Sequence, residues 1–333
     1  LTPRFRIAPG DQGEAVRDLQ HRLAVLGYEV AAAETGSYGE STEAAVRAFQ
    51  SDRGQRVDGI CGHQTWSSLV EAGYALGDRL LYHRTPMLRG DDVVDLQHRL
   101  NALGFDAGRE DGIFGPNTTS ALLEFQRNVG VAGDGICGPA TVAALERLSR
   151  FAGGSVATVR EREALRTENR HLAGRRVYLA VEPGLDALGE LVGKGLVDAG
   201  ADVLLDGSGE DDSLVAAEAN RYGADLFLGL RFGDTPGCTC DYFASKSFRS
   251  EGGYRVAHCV LEELSEVMGC AALPPNGRAY AVLRETRMPA VVCQPVEADD
   301  VEGVRRLVSR SGIAGRAIIR GVRRGIEDPF EEE

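Results

Sequence analysis

The first 150 residues repeat one pattern twice. Asp18-Leu19-Gln20-His21-Arg22-Leu23 recurs as Asp95-Leu96-Gln97-His98-Arg99-Leu100, and Leu26-Gly27-Tyr28 as Leu103-Gly104-Phe105. Phe49-Gln50 returns as Phe125-Gln126, and Asp58-Gly59-Ile60-Cys61-Gly62 as Asp134-Gly135-Ile136-Cys137-Gly138. The offset is 77 residues early in the unit and 76 later, so every landmark keeps its order and one connecting loop differs by a residue. Two copies of one module therefore occupy residues 1–75 and 76–150.

Each copy is built for helices. Val16, Leu19, Leu23, Leu26 and their counterparts Val93, Leu96, Leu100, Leu103 follow helical spacing and stop at Gly27 and Gly104, where a glycine supplies the C-cap. A second helix runs through Ala44, Ala45, Val46, Phe49 and through Ala121, Leu122, Phe125; a third begins near Thr65 and Thr141. Between them lie turns of one form, 58–65, 111–118 and 134–141, with a degraded version in Thr35-Gly36-Ser37-Tyr38-Gly39. Glycine supplies the positive φ, aspartate closes an Asx-turn, and the later threonine can cap the next helix. The order LQ-x-R-L-x-x-L-G-[YF], DG-x-[FY]-G-x-x-T, FQ, DG-x-x-G-x-x-T resembles the peptidoglycan-binding domain 1 family, three-helix modules found on cell-wall hydrolases. Most landmarks serve the folding of any such unit. The side chains beside the turns, Tyr38, Gln50, Phe114 and Gln126, are the ones expected to face a glycan or peptide.

A linker, 151–174, carries Gly153-Gly154-Ser155 and the charged run Arg160 to Arg166. Beyond it the pattern changes. Val177–Val181, Asp202–Leu205, Asp225–Leu230 and Pro289–Cys293 are short apolar runs suited to buried strands. Helical segments near 187–199, 211–222, 253–268 and 300–326 separate most of them, predicting an α/β domain with a largely parallel sheet over 175–328, before an acidic tail at 329–333. The fold class is thus multidomain: two three-helix modules and one α/β domain. Ligands of such sheets bind at the carboxyl ends of the strands.

Those ends read Val181-Glu182-Pro183-Gly184-Leu185-Asp186, Leu228-Gly229-Leu230-Arg231-Phe232-Gly233 and Met288-Pro289-Ala290-Val291-Val292-Cys293-Gln294. With Ala224-Asp225-Leu226-Phe227 and the Val282 to Ala290 stretch they resemble the N-acetylmuramoyl-L-alanine amidase type 3 family. The resemblance implies zinc enzymes that cut between muramic acid and the stem peptide, using two His and an intervening Glu on the metal and a final Glu as acid/base. Here Leu185 stands at the first His, Arg231 at the second and Gln294 at the final Glu, and the short span from Gly184 to Gly200 leaves out the intervening Glu. A hydrolytic zinc needs three protein ligands and an open position. Leucine does not ligate, a guanidinium brings its own fixed charge, and glutamine does not exchange a proton at useful pH. The expectation is that zinc is lost, that no catalytic residue and no cofactor remain, and that the domain is a pseudoenzyme.

Other residues offer partial substitutes. His258 is the one histidine of the apolar-run portion of the domain, on a helical stretch. Cys238 and Cys240 flank Thr239 on one face of a strand, with Cys293 on another, which suits either a thiolate site or small core residues; Cys61 and Cys137 read as packing residues. Arg231, Arg284 and Arg287 are candidates to hold an anionic group, a muropeptide carboxylate or a precursor phosphate, with ordinary salt bridges as the alternative.

Two such modules joined to a domain without zinc ligands resemble a narrower actinobacterial group of amidase homologues, the CwlM type. That resemblance implies a cytoplasmic regulator of peptidoglycan precursor synthesis, acting on the enolpyruvyl transferase MurA under Ser/Thr kinase control of a threonine-bearing tail. The sequence departs from it by ending Asp328-Pro329-Phe330-Glu331-Glu332-Glu333. Composition agrees with the rest. With 37 basic against 50 acidic residues and a net charge of -13, a nucleic-acid partner held by phosphate neutralisation is not expected. No run approaches the roughly 18 apolar residues of a membrane span. Seven cysteines leave at least one thiol unpaired, which suits a reducing compartment. Nothing after Leu1 resembles a secretory leader; one preceding it would favour the alternative, an exported amidase or wall-binding protein.

Overall fold

The structure is a computed structural model that describes residues 6–149, 171–245, 248–271 and 273–328. The charged run of the linker and the acidic tail fall outside the described residues. The chain divides into two units, Leu1–Val159 with Lys246–Phe248, and Arg160–Ser245 with Arg249–Glu333.

The first unit holds both modules. Module one comprises β1 (Arg6–Ile7), α1 (Glu14–Val25), α2 (Glu40–Asp52), β2 (Cys61–Gly62) and α3 (His63–Glu71); module two comprises α4 (Asp91–Ala102), α5 (Pro116–Val129) and α6 (Pro139–Ser149). The repeat persists in detail. Ile7 pairs with Cys61 and Leu81 with Cys137, both antiparallel. Tyr28 stands edge-on to Phe49 at 5.7 Å, and Phe105 to Phe125 at 5.5 Å. Each module buries its own apolar stripe, Val16, Leu19, Leu23, Val46 and Phe49 in one, Val93, Leu96, Leu100, Leu122 and Phe125 in the other. Cys61 and Cys137 pack into these cores, and burial pushes both thiols up to about 12.

Each turn between helices is held by a buried glutamine from the preceding helix. Gln126 donates through Nε2 to Asp134 Oδ1 (3.0 Å), the Ile136 carbonyl (3.0 Å) and Thr141 Oγ1 (3.1 Å), and its Oε1 accepts from the Gly135 amide (2.9 Å). Gln50 does the same to Asp58, Ile60, Thr65 and Gly59, and Gln97 to Asp111, Ile113, Thr118 and Gly112. In the degraded turn Gln20 reaches the Glu34 and Ser37 carbonyls, Thr42 and the Gly36 amide. The four glycines share φ between 71° and 79°, a left-handed conformation that L side chains resist. The 76-residue repeat is thus itself two half-units, each a helix, a clamped glycine turn and a threonine on the next helix.

The second unit is a six-stranded sheet in the order β4-β3-β5-β8-β6-β7, comprising β3 (Arg176–Val181), β4 (Asp202–Asp206), β5 (Leu226–Leu230), β6 (Thr239–Phe243), β7 (Asn276–Arg278) and β8 (Ala290–Gln294). All pairings are parallel except β6 with β8. Its helices are α7 (Asp186–Asp198), α8 (Asp212–Tyr222), α9 (Glu251–Met268), α10 (Ala281–Glu285), α11 (Val301–Ser309) and α12 (Ser311–Glu327). Alternate residues Val177, Leu179, Leu226, Leu228, Val291 and Cys293 meet α7, α9 and α12 in one core. The opposite face, bearing Tyr178, Phe227, Val292 and Gln294, is covered by α8 and α10. Helices α9 and α12 approach closely because Gly321 and Gly325 face the backbone of Val260 and Val256, where an added Cβ would lie 2.4 and 2.7 Å from a Cα. The four apolar runs form the expected parallel strands. β7 and α10 escape the sequence reading because three and five residues carry no periodicity, and the segment read as one helix over 300–326 breaks at Arg310 into α11 and α12.

A carboxamide offers the donor and the acceptor that each clamped turn needs, so its loss strands buried polar groups at about 1–3 kcal/mol each. Gln50→Ala should lower the stability of module one by about 3 kcal/mol, read as an earlier urea transition in the fluorescence of the sole tryptophan, Trp66. A transition unmoved by this change would show that the clamp is not needed to hold the turn.

Candidate functional site

Three chain segments leave the carboxyl ends of β3, β5 and β8. After β3, Glu182 turns back so that its Oε2 accepts from the Phe232 amide (2.8 Å), and Gly184 at φ 100° sends the chain into α7. Leu185 is 4% exposed and belongs to the apolar core with Leu188 and Val192. After β5, the Arg231 guanidinium grips the carboxylate of Asp212, in the first turn of α8, with two hydrogen bonds, one of them at 3.3 Å. Burial works against the charge of Arg231, but Asp212, helped by Glu182 and Tyr280, more than offsets it and raises its pKa above the ordinary value.

After β8, Gln294 is buried. Its Oε1 accepts from Thr239 Oγ1 (2.6 Å) and its Nε2 donates to Asp241 Oδ2 (3.1 Å). Asp241, on β6, also accepts from the Tyr280 hydroxyl (2.6 Å) and Asn276 Nδ2 (3.2 Å). Burial raises the Asp241 pKa above the usual carboxylate value, although Tyr280, Arg278 and Asn276 pull it down and Asp234 adds to the rise. Burial and the neighbouring Asp241 push the Tyr280 hydroxyl well above the phenolic range.

The other predicted residues divide. Arg284 reaches Glu285 Oε1 (3.4 Å), which also accepts from Ser213 Oγ (3.2 Å), so Arg231 and Arg284 both border the start of α8. Arg287 lies apart and exposed, its amide bound to Asn220 Oδ1 (2.9 Å). Asp212 and Asn220 are eight residues apart on α8, about 12 Å along the helix, so the fold does not gather the three arginines into one cluster. The four side chains expected to face a glycan do not face solvent. Tyr38 is buried with its hydroxyl donating to the Gly59 carbonyl (2.6 Å), Phe114 is wholly buried, and Gln50 and Gln126 are consumed by the turn clamps. Their polarity or aromaticity next to a turn reflects the turn's own needs. His258 sits on the surface of α9 beside Glu262 (3.4 Å) and stacks on Tyr254.

The residues at the three matched positions do not fit zinc. One is an apolar core side chain, one a cation already paired, and one an amide engaged at both ends. Among the described residues no group of three or more His, Cys, Asp or Glu side chains is placed to hold a metal ion. Sequence reasoning missed Asp212, Glu182, Asp241 and Tyr280. The signal for Asp241 was available, since a lone carboxylate interrupts the apolar run Thr239–Phe243.

Comparison with known proteins places this arrangement. Residues 12–69 and 89–145 match the peptidoglycan binding domain family. Over 328 residues the chain is 36% identical to the N-acetylmuramoyl-L-alanine amidase CwlM of Mycobacterium tuberculosis, covering 85% of this chain and 79% of that relative. The chain belongs to the N-acetylmuramoyl-L-alanine amidase CwlM family. It is also 34% identical over 146 residues to the N-acetylmuramoyl-L-alanine amidase CwlL of Bacillus licheniformis, a match covering 38% of this chain and 41% of the relative. Among solved structures, the amidase Ami1 of Mycobacterium smegmatis aligns at 16% identity with a TM-score of 0.39, over 48% of this chain and 100% of that one. In this CwlM-family chain the module matches coincide with the clamped repeats, and the α/β domain carries Leu185, Arg231 and Gln294 at its strand ends.

The Asp241 network has a pH signature. Because the folded pKa is raised, the stabilisation from its protonated form is fully present below the ordinary carboxylate pKa and is lost as pH rises through the raised value. The stability of Asp241→Asn relative to the parent, from urea unfolding across that window, should therefore climb with pH. A flat difference would remove Asp241 as a perturbed group.

Proposed function

We propose that this chain is a non-catalytic amidase homologue, a pseudoenzyme that regulates or binds within peptidoglycan precursor synthesis through protein–protein contacts. The observation that carries this reading is the ion pair of Arg231 with Asp212: a fixed cation, already neutralised, occupies the strand end where the amidase resemblance expects a zinc histidine. Leu185 and Gln294 support it, since neither supplies a ligand or an exchangeable proton. Zinc is accordingly no part of the proposed chemistry.

A cell-wall synthesis enzyme such as MurA is the proposed partner, in the cytoplasm. Seven free thiols, six of them buried, and a net charge of -13 support an internal location. Peptidoglycan fragments or precursors are a second class of ligand. A carboxylate or phosphate from them would meet Arg231 and Arg284 by displacing Asp212 and Glu285. The family match of both modules favours one further reading, an exported amidase or wall-binding protein whose modules grip the polymer.

Purified full-length chain supplied with zinc should release no muropeptide from peptidoglycan, and tagged chain in native cytosol should retain the enolpyruvyl transferase. Turnover with zinc would overturn the pseudoenzyme reading. Retention on sedimented peptidoglycan, with the protein found outside the cytoplasm and no transferase retained, would replace it with the wall-binding one.

A further inference from the structure

Four of the seven cysteines gather around the entrance of β6. Cys240 faces Cys293 in the antiparallel register of β6 and β8, and Cys238 lies two residues earlier on the same face. The odd-numbered residues of β8 direct their backbone groups to β5, as the bonds of Phe227 to Pro289 and of Arg231 to Cys293 show. Cys240 and Cys293 are therefore a non-hydrogen-bonded pair, the closer class of antiparallel partners. Both are wholly buried.

The second pair leads outward. Cys270 follows Gly269, the residue that ends α9, and it alone of the seven is not buried. Cys238 and Cys270 belong to one apolar cluster, Cys238 within it and Cys270 packed against it, with Cys238 Sγ 3.4 Å from the Pro295 carbonyl and Cys270 Sγ 3.9 Å from that of Ser265. Gly237, at φ 91°, lets the two segments meet: a Cβ there would lie 3.8 Å from the Cβ of Cys270. Burial raises the Cys238 thiol above its ordinary pKa, the neighbouring Cys270 and Cys293 add to the rise, and Arg306 on α11, which donates to the Met268 carbonyl (3.2 Å), opposes it.

We propose that Cys238 and Cys270 form a reversible oxidation site that closes a disulfide when the protein meets hydrogen peroxide. The half-exposed Cys270 sulfur attacks one peroxide oxygen, its S–O bond forming as the O–O bond breaks, and the departing hydroxide leaves with the Cys270 thiol proton as water, giving a sulfenic acid. Cys238 then attacks that sulfur; the S–S bond forms, the S–O bond breaks, and the hydroxide leaves with the Cys238 proton as a second water. Two thiols and one peroxide thus yield one disulfide and two waters, and a low-molecular-weight dithiol reverses the step by exchange. Cys240 and Cys293, though well aligned, have no exposed member to react first. The bridge would tie the end of α9 to the residue next to Thr239, which holds Gln294, so oxidation at the surface would reach the polar network at the end of β8.

The test uses the full chain, reduced, exposed to hydrogen peroxide, then unfolded with an alkylating agent and mapped by mass spectrometry. The expected result is two fewer alkylated thiols and a linked peptide whose fragmentation places the bond at Cys238 and Cys270, both reversed by dithiothreitol. Cys270→Ser, confirmed folded by circular dichroism, should lose no further thiol, and Cys293→Ser should still lose two. All seven thiols alkylated after peroxide, a bridge through Cys240 or Cys293, or Cys270 driven to sulfinic acid with Cys238 still alkylated would each overturn the proposal. The mapping of the parent chain decides even where a variant misfolds.

Discussion

A carboxamide places a donor and an acceptor on one carbon, and this chain uses that pairing at each of its clamped turns and again at the end of β8. In the modules Gln20, Gln50, Gln97 and Gln126 each satisfy a left-handed glycine amide, a turn carbonyl and a threonine on the next helix. In the α/β domain Gln294 does the corresponding work between Thr239 and Asp241. Remove the carboxamide and several buried polar groups are stranded at once, whereas trimming a neighbouring apolar side chain loses its buried area and leaves a cavity but strands no polar group. The apolar stripes of the helices supply most of the burial, but the clamps determine that each turn closes where it does.

The same constraint explains the state of the amidase-like strand ends. A partly buried guanidinium is stabilised by a carboxylate built in beside it, and Asp212 at the start of α8 supplies one. That pairing positions α8 over the sheet, with Ser213 and Asn220 of the same helix holding Glu285 and the Arg287 amide. The strand ends therefore form a closed polar layer over an apolar core that includes Leu185, in a member of the CwlM amidase family. A zinc-binding relative needs the opposite: neutral or anionic donors converging on an empty centre.

Much of the fold was legible because its signals are local. Leu19, Leu23 and Phe49 recur at helical spacing, and β3, β5 and β8 are apolar runs buried on both faces. The double repeat announced itself through identical hexapeptides. What the sequence hid depends on return contacts. Gln50 and Gln126 are polar and lie next to turns, so they read as exposed, yet each folds back onto a turn about nine residues later. Tyr38 and Phe114 followed the same error. Arg231 was legible as a departure from the zinc pattern, but its partner Asp212 lies on another element, and Asp241 becomes significant only when β6 pairs with β8.

The proposed loss of catalysis requires that the strand ends of this amidase homologue hold no catalytic metal. Anomalous X-ray diffraction at the zinc edge, from crystals grown with excess zinc, tests it at the site itself. No anomalous peak is expected among Leu185, Arg231 and Gln294, with the Arg231–Asp212 pair intact. A peak there, coordinated by residues of this chain, would contradict it.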